Sequence, residues 1–191
     1  MLAAVLAASI AGCGSAPAED KNAKQSLILI EDLPAGSAVK EEFPEPCPPE
    51  PILRERTKKF AATDPMGYKE VEVKEAIGIF SDTDKATEVY DSLTSTERSE
   101  CIASAMKGFN PPEETIETGP VTSPDVAEED WARRYSVINL SSETQGTLDA
   151  VALKSGVCVA ALIFLARGEA TEESVVDEVT EAAADRLPDS C

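Results

Sequence analysis

The unbroken apolar segment from Val157 to Ala166 constrains the fold of this sequence more than any other feature. A strand with apolar side chains at every position is covered on both faces, so this segment predicts a strand at the centre of a sheet. Residues 171–187 follow with apolar side chains at helical spacing, which predicts a helix that returns over the strand. The chain is therefore expected to close with a central strand and a helix packed on it.

Further strands are predicted where apolar and polar side chains alternate. They span 68–80, 131–140 and 147–153, with shorter ones at 58–63 and 115–121. Glu75 interrupts the inward row of 68–80, which indicates a bulge or a sheet edge. A helix begins after Asp84 and restarts near Thr94, where Thr94-Ser-Thr-Glu97 has capping-box spacing. This order predicts an α+β fold in which two main helices pack on a largely antiparallel sheet.

The N-terminus carries a candidate export signal. Residues 2–12 form an apolar run that has the length of a signal peptide and is too short to span a bilayer. The run ends in Ile10-Ala-Gly-Cys13, which resembles a lipobox, where a peptidase cuts before a cysteine that is then diacylated. We therefore expect a lipoprotein signal peptide at 1–12 and a lipid-modified Cys13.

The residues after Cys13 are small and polar up to about residue 25, so they predict a flexible tether in front of a domain at 26–191. The lipid would be the membrane partner of the chain and would hold it on the extracytoplasmic side of the cell membrane. A basic n-region is missing, since the first basic residue is Lys21, which indicates that the true start lies upstream. The alternative is a short apolar helix that packs in the domain.

Four cysteines remain if Cys13 carries lipid, and an even number in an exported domain predicts two disulfides with three possible connectivities. The helix at 171–187 should return antiparallel to the strand at 157–166, which brings Cys191 beside Cys158. The expected pairs are Cys158–Cys191 and Cys47–Cys101. The cysteine spacing does not fit a zinc site.

Charge and composition exclude several functions. The formal net charge is -19, so the surface repels nucleic acid, and we expect no nucleic-acid partner. The chain has no histidine, which excludes Ser-His-Asp and Cys-His catalysis and histidine-containing zinc sites. We expect no catalytic residues, no metal and no cofactor.

Trp131, Arg133 and Tyr135 share one face of their predicted strand and form a mixed aromatic and basic cluster in an acidic chain. They are the candidate ligand-binding residues, because such groups stack on sugar rings and hold anionic groups. The alternative is that the aromatic residues belong to the core and that the arginines, Arg134 included, pair with nearby carboxylates.

Several segments together resemble actinobacterial sensor-domain lipoproteins, which are similar to the extracellular domain of PknH-type receptor kinases. These segments are Asp32-Leu-Pro-Ala-Gly36, the strand and helix from Ile77 to Cys101, Trp131-Ala-Arg-Arg-Tyr135, and the closing strand and helix. The resemblance implies a disulfide-stapled α+β domain with a ligand-binding cleft and without catalytic machinery.

Three functional hypotheses follow. The first is a membrane-anchored, non-enzymatic domain that senses or binds a small lipidic or glycan ligand. The second is an interaction module that docks an envelope protein, which would show an exposed apolar patch. The third is a carboxylate-dependent hydrolase, which requires two acidic side chains that converge in a cleft.

Overall fold

The computed structural model describes residues 26–33, 38–39, 47, 58–63, 70–109, 115–123, 125–138, 144–167, 170–187 and 191. The predicted signal peptide, Cys13 and the tether lie outside them. Within the described ranges, no helix is long and apolar enough to cross a membrane.

The described residues form one mixed α and β unit. The strands are β1 (Ala38–Val39), β2 (Lys58–Thr63), β3 (Glu70–Ile79), β4 (Thr115–Pro120), β5 (Glu129–Ile138), β6 (Thr144–Ser155) and β7 (Cys158–Arg167). The helices are α1 (Thr83–Thr94), α2 (Thr96–Phe109) and α3 (Glu173–Asp185), and a short 3-10 turn spans Ile30–Asp32. The segment beginning at Ser26 leads into the 3-10 turn.

All seven strands belong to one sheet in the order β1-β2-β3-β7-β6-β5-β4, and every neighbouring pair is antiparallel. β7 lies in the middle of this order and pairs with β3 on one side and β6 on the other. The predictions of a central β7 and of an α+β fold with an antiparallel sheet are therefore confirmed.

Helices cover both faces of the sheet. Val176, Val179 and Ala183 of α3 pack on one face, where Leu162 and Phe164 of β7 lie. α1 packs on the opposite face, over a row of short side chains that runs across three paired strands. The row consists of Ala152, Ala161 and Ala76. The alanines leave room for the backbone of α1 to approach the sheet.

α2 lies beside α1 on the same face, and it covers a second apolar cluster at the β5 end of the sheet. Ile102 and Met106 of α2 pack there with Tyr135, Val137 and Leu148. The two helices meet at Ser95, which ends α1 and begins α2. The backbone N–H of Ser95 donates to the Ser92 carbonyl, and its Oγ accepts from the Arg98 N–H at 3.1 Å. The restart that the sequence predicts near Thr94 is thus a full break, so the described residues contain three α-helices.

Glu75 corrects an expectation from the sequence. The register of β3 with both β2 and β7 is continuous at Glu75, so the residue marks neither a bulge nor an edge. Its side chain is fully buried, and its Oε2 accepts a hydrogen bond of 2.7 Å from the backbone N–H of Ile28. Glu72 and Lys74, on the other face of β3, are also buried, so both faces of this strand are covered.

Two disulfides join distant parts of the fold. Cys47 pairs with Cys101 of α2, and Cys158 at the start of β7 pairs with Cys191. These are the two pairs expected from the sequence. At the β6–β7 turn, Gly156 has a φ of 49°, and an added Cβ would lie 2.0 Å from the carbonyl oxygen of Cys191. Only glycine fits this turn while Cys191 lies against it.

The segment from Ser26 to Leu33 is fixed to the α3 face. Leu27 and Ile28 are buried in the same cluster as Val73 and Ile77. Asp32 accepts two hydrogen bonds from the guanidinium of Arg186, just after α3, at 2.5 and 2.8 Å. This strap, residues 26–33, therefore connects β3 to the end of α3.

Candidate ligand-binding site

The candidate residues lie on β5, where successive side chains alternate between the two faces of the sheet. Trp131, Arg133 and Tyr135 lie two residues apart on one regular strand, so their side chains leave the same face. That face is the one covered by α1 and α2, since Trp131 packs against both of their clusters. The structure therefore brings the three residues together on one side of the sheet.

Trp131 and Arg133 contact each other near the edge of the covered face. The guanidinium carbon of Arg133 lies 5.5 Å from the centroid of the Trp131 ring, which is a cation–π distance. Both residues are half-buried. Arg133 is flanked in register by Ala150 and Pro120, which are short on both neighbouring strands. Its Nε is buried and has no hydrogen-bond partner.

Tyr135 is fully buried beneath α2. Burial raises the pKa of its hydroxyl, while the Ser99 hydroxyl and the charges of Arg133 and Arg98 pull that pKa down. The hydroxyl therefore stays protonated at neutral pH and acts as a donor. The Ser99 hydroxyl lies close enough to affect this pKa, but the two oxygens form no hydrogen bond, and each is buried without a partner.

The neighbouring Arg134 points to the opposite face and has a structural role. Its Nε and one terminal nitrogen donate to the two carboxylate oxygens of Asp149 at 2.6 and 2.8 Å, and it also donates to the Thr171 carbonyl. Burial raises the pKa of Asp149, and Arg134 opposes that rise. This pair ties the loop before α3 to β5 and β6.

The alternative interpretation, in which the aromatic residues belong to the core and the arginines pair with carboxylates, thus holds for some residues of the cluster. Tyr135 is a core residue, and Arg134 pairs with a local carboxylate, as that interpretation expects. Arg133 differs, because its contact within the described residues is with Trp131. Whether Trp131, Arg133 and Tyr135 bind a ligand stays a prediction.

Sequence reasoning missed Ser99. It occupies the first turn of α2 and is buried although it is polar. A signal was present, because Ser99, Ile102 and Met106 have the spacing of one helix face. A serine on the apolar side of an amphipathic helix is a candidate for a buried polar contact.

The acidic run at 128–130 serves the β6–β7 turn. Glu128 accepts a hydrogen bond from the Gly156 N–H at 2.7 Å, and Glu129 pairs with the buried Lys154 at 2.6 Å. In the part of the chain that the structure describes, no three His, Cys, Asp or Glu residues are grouped closely enough to hold a metal ion.

No protein-family model matches the chain, and no curated protein matches it either. Among solved structures, the chain is similar to the crystal structure of the extracellular domain of PknH from Mycobacterium tuberculosis. The TM-score is 0.37 and the sequence identity is 12%. The match covers 69% of this chain and 61% of that one, so the chain spans about three fifths of the length of that domain. This degree of similarity does not place the chain in a family.

Proposed function

We propose that this chain is an exported lipoprotein whose α+β domain binds a ligand without catalysing a reaction. In this proposal, acyl groups on Cys13 hold the domain at the extracytoplasmic face of the membrane. A single lipid chain anchors a protein only weakly, whereas two or more give lasting attachment. The tether after Cys13 would end at Ser26, where the ordered strap begins.

The cysteine pairing carries the export part of the proposal. The chain has five cysteines, and four of them form the two disulfides. Structural disulfides persist in oxidising compartments outside the cytoplasm. The pairing leaves Cys13 without a cysteine partner, and Cys13 is also the cysteine of the lipobox-like tetrad. Two independent features therefore agree on export and on the modified residue.

The partners of two buried carboxylates, Asp149 and Glu75, argue against the hydrolase hypothesis. Asp149 is held by two hydrogen bonds from Arg134, and Glu75 accepts from the backbone of Ile28. A carboxylate-dependent hydrolase needs two carboxyl groups that face each other across a cleft. Asp149 and Glu75 instead hold loops to the sheet, so we favour a non-catalytic domain.

Mass spectrometry of the chain from a lipoprotein-processing host tests the anchor. The wild type should begin at Cys13 and carry acyl mass, and a Cys13→Ala variant should carry none and leave the membrane fraction. Reduction should add about 4 Da to the wild type, one hydrogen for each freed thiol. An unmodified chain with free thiols would contradict the proposal, and a co-purified small molecule would identify the class of ligand.

A further inference from the structure

Three hydrogen-bond donors without acceptors lie on the side of the sheet that α1 and α2 cover. They are the hydroxyl of Tyr135, the hydroxyl of Ser99 and the Nε–H of Arg133, and all three are buried atoms without a partner. Tyr135 and Ser99 are each more than nine-tenths buried. Leaving such a group unpaired costs about 1–3 kcal/mol, so three together at one place in the core require an explanation.

The three donors are held in fixed positions by different elements. Tyr135 and Arg133 are two residues apart on one face of β5, and Tyr135 is packed among Ile102, Met106 and Leu148. Ser99 approaches from the first turn of α2, where the positive end of the helix dipole lies. The Trp131 ring holds the guanidinium of Arg133 at 5.5 Å. The arrangement is therefore built before any ligand arrives.

The chemistry of the donors specifies the ligand. A neutral phenol and a neutral alcohol can each donate, and the guanidinium can only donate and is always positive. The two hydroxyls lie close enough to accept from each other, but one of their two O–H groups and the Nε–H of Arg133 still lack an acceptor, so the missing partner supplies acceptor oxygens. Arg98 adds a second positive charge near Tyr135. Two arginines and a helix N-terminus make this place electropositive in a chain whose net charge is -19.

We propose that Ser99, Arg133 and Tyr135 form a binding site for the oxyanion group, carboxylate or phosphate, of a small ligand. This inference rests on the proposed ligand-binding function and names the site and the class of ligand. The half-buried Trp131 and Arg133 form the entrance, and the two hydroxyls form the buried end.

The test measures thermal unfolding of the full chain, with both disulfides formed, in phosphate, acetate and chloride at equal ionic strength. One of the two oxyanions should raise the midpoint of the wild type relative to chloride, since a ligand that binds the native state stabilises it. Tyr135→Phe, Ser99→Ala and Arg133→Gln should each weaken this binding roughly tenfold or more. Tyr90→Phe and Lys107→Gln are matched controls, from a buried tyrosine on α1 and an exposed cation on α2, and should keep it.

Phosphate also stabilises proteins non-specifically, so the comparison among variants decides the result. Equal midpoints of the wild type in all three salts would overturn the site, and so would an equal rise in all variants. Without added oxyanion, Tyr135→Phe should leave the midpoint unchanged or raise it, because it removes an unpaired buried donor. A clear drop would show that the hydroxyl already has an internal partner, and would also overturn the site. If the chain carries the lipid but fails this test, the oxyanion site is wrong and the proposal of a lipid-anchored domain still stands.

Discussion

Arg133 and Arg134 are adjacent in the sequence and lie on opposite faces of the sheet, which separates their roles. Arg134 reaches Asp149, whose side chain is 1% exposed, and forms a two-point ion pair with it. Arg133 contacts an aromatic ring, and its Nε is left without an acceptor. A buried carboxylate with a fixed partner serves the fold, whereas a buried donor without one is available to a ligand.

Loss of the Arg134 partner should be costly. Arg134→Met keeps the stem of the side chain but leaves Asp149 buried without its counter-charge, so we expect the free energy of unfolding to fall by about 3–5 kcal/mol. The double variant Arg134→Met/Asp149→Leu should recover much of this loss, because it removes the buried charge as well. Urea denaturation of the two variants measures both effects. A single variant as stable as the wild type would contradict the role of the pair.

The Tyr90 hydroxyl should lose its proton only at a pH well above that of an ordinary tyrosine. Burial first, and then the charges of Glu129, Asp130 and Asp91, raise the pKa of its hydroxyl to about 12. The folded chain therefore binds more protons than the unfolded chain between the ordinary tyrosine pKa near 10 and pH 12. The stabilisation that the protonated Tyr90 hydroxyl gives the folded chain is fully present below about pH 10 and is lost as the pH rises through the folded pKa.

The absorbance of tyrosinate against pH measures this titration. Tyr90→Phe should remove a late phase near pH 12 and should reduce the loss of stability above pH 10. If Tyr90→Phe instead removes a tyrosinate phase near pH 10, Tyr90 is not in the environment described.

Among the elements, the strands were predicted well, some by alternation and β7 by its unbroken apolar run, because the sheet constrains the sequence on both faces. β2 agrees with its prediction, and β7, predicted from Val157 to Ala166, is shifted by a single residue. What alternation could not show is which polar residues are buried. The pattern predicts Glu72 and Lys74 on the solvent face and Glu75 at a bulge or an edge, yet all three side chains are buried. Ser99 was missed for the same reason, since its neighbour Tyr135 is distant in sequence and depends on how α2 crosses β5.

The junction between α1 and α2 depends on one cap. Ser95→Ala removes the acceptor for the Arg98 N–H and should lower the free energy of unfolding by about 1 kcal/mol. Ser92→Ala is the control, because Ser92 is exposed on α1 and its side chain caps no helix. Thermal unfolding of the two variants measures the difference. Equal effects would mean that the Ser95 side chain does not hold the junction.

At the scale of the whole molecule, the two disulfides close loops of similar size, with sequence separations of 54 and 33 residues. Loop-closure entropy depends only weakly on length, so the two should stabilise the domain almost equally, by about 4 kcal/mol each. The variants Cys47→Ala/Cys101→Ala and Cys158→Ala/Cys191→Ala, compared by guanidinium denaturation, measure this. A pair whose removal costs nothing would show that it does not restrain the unfolded chain.

The central position of β7 also sets the order in which the domain can assemble. β3 has β2 as its neighbour on one side, but its partner on the other side is β7, which comes roughly eighty to ninety residues later. One edge of β3 therefore stays open until β7 has been synthesised. Such an edge can pair with strands of other chains, so the last strand of the sheet to be made is also the one that protects β3 from aggregation.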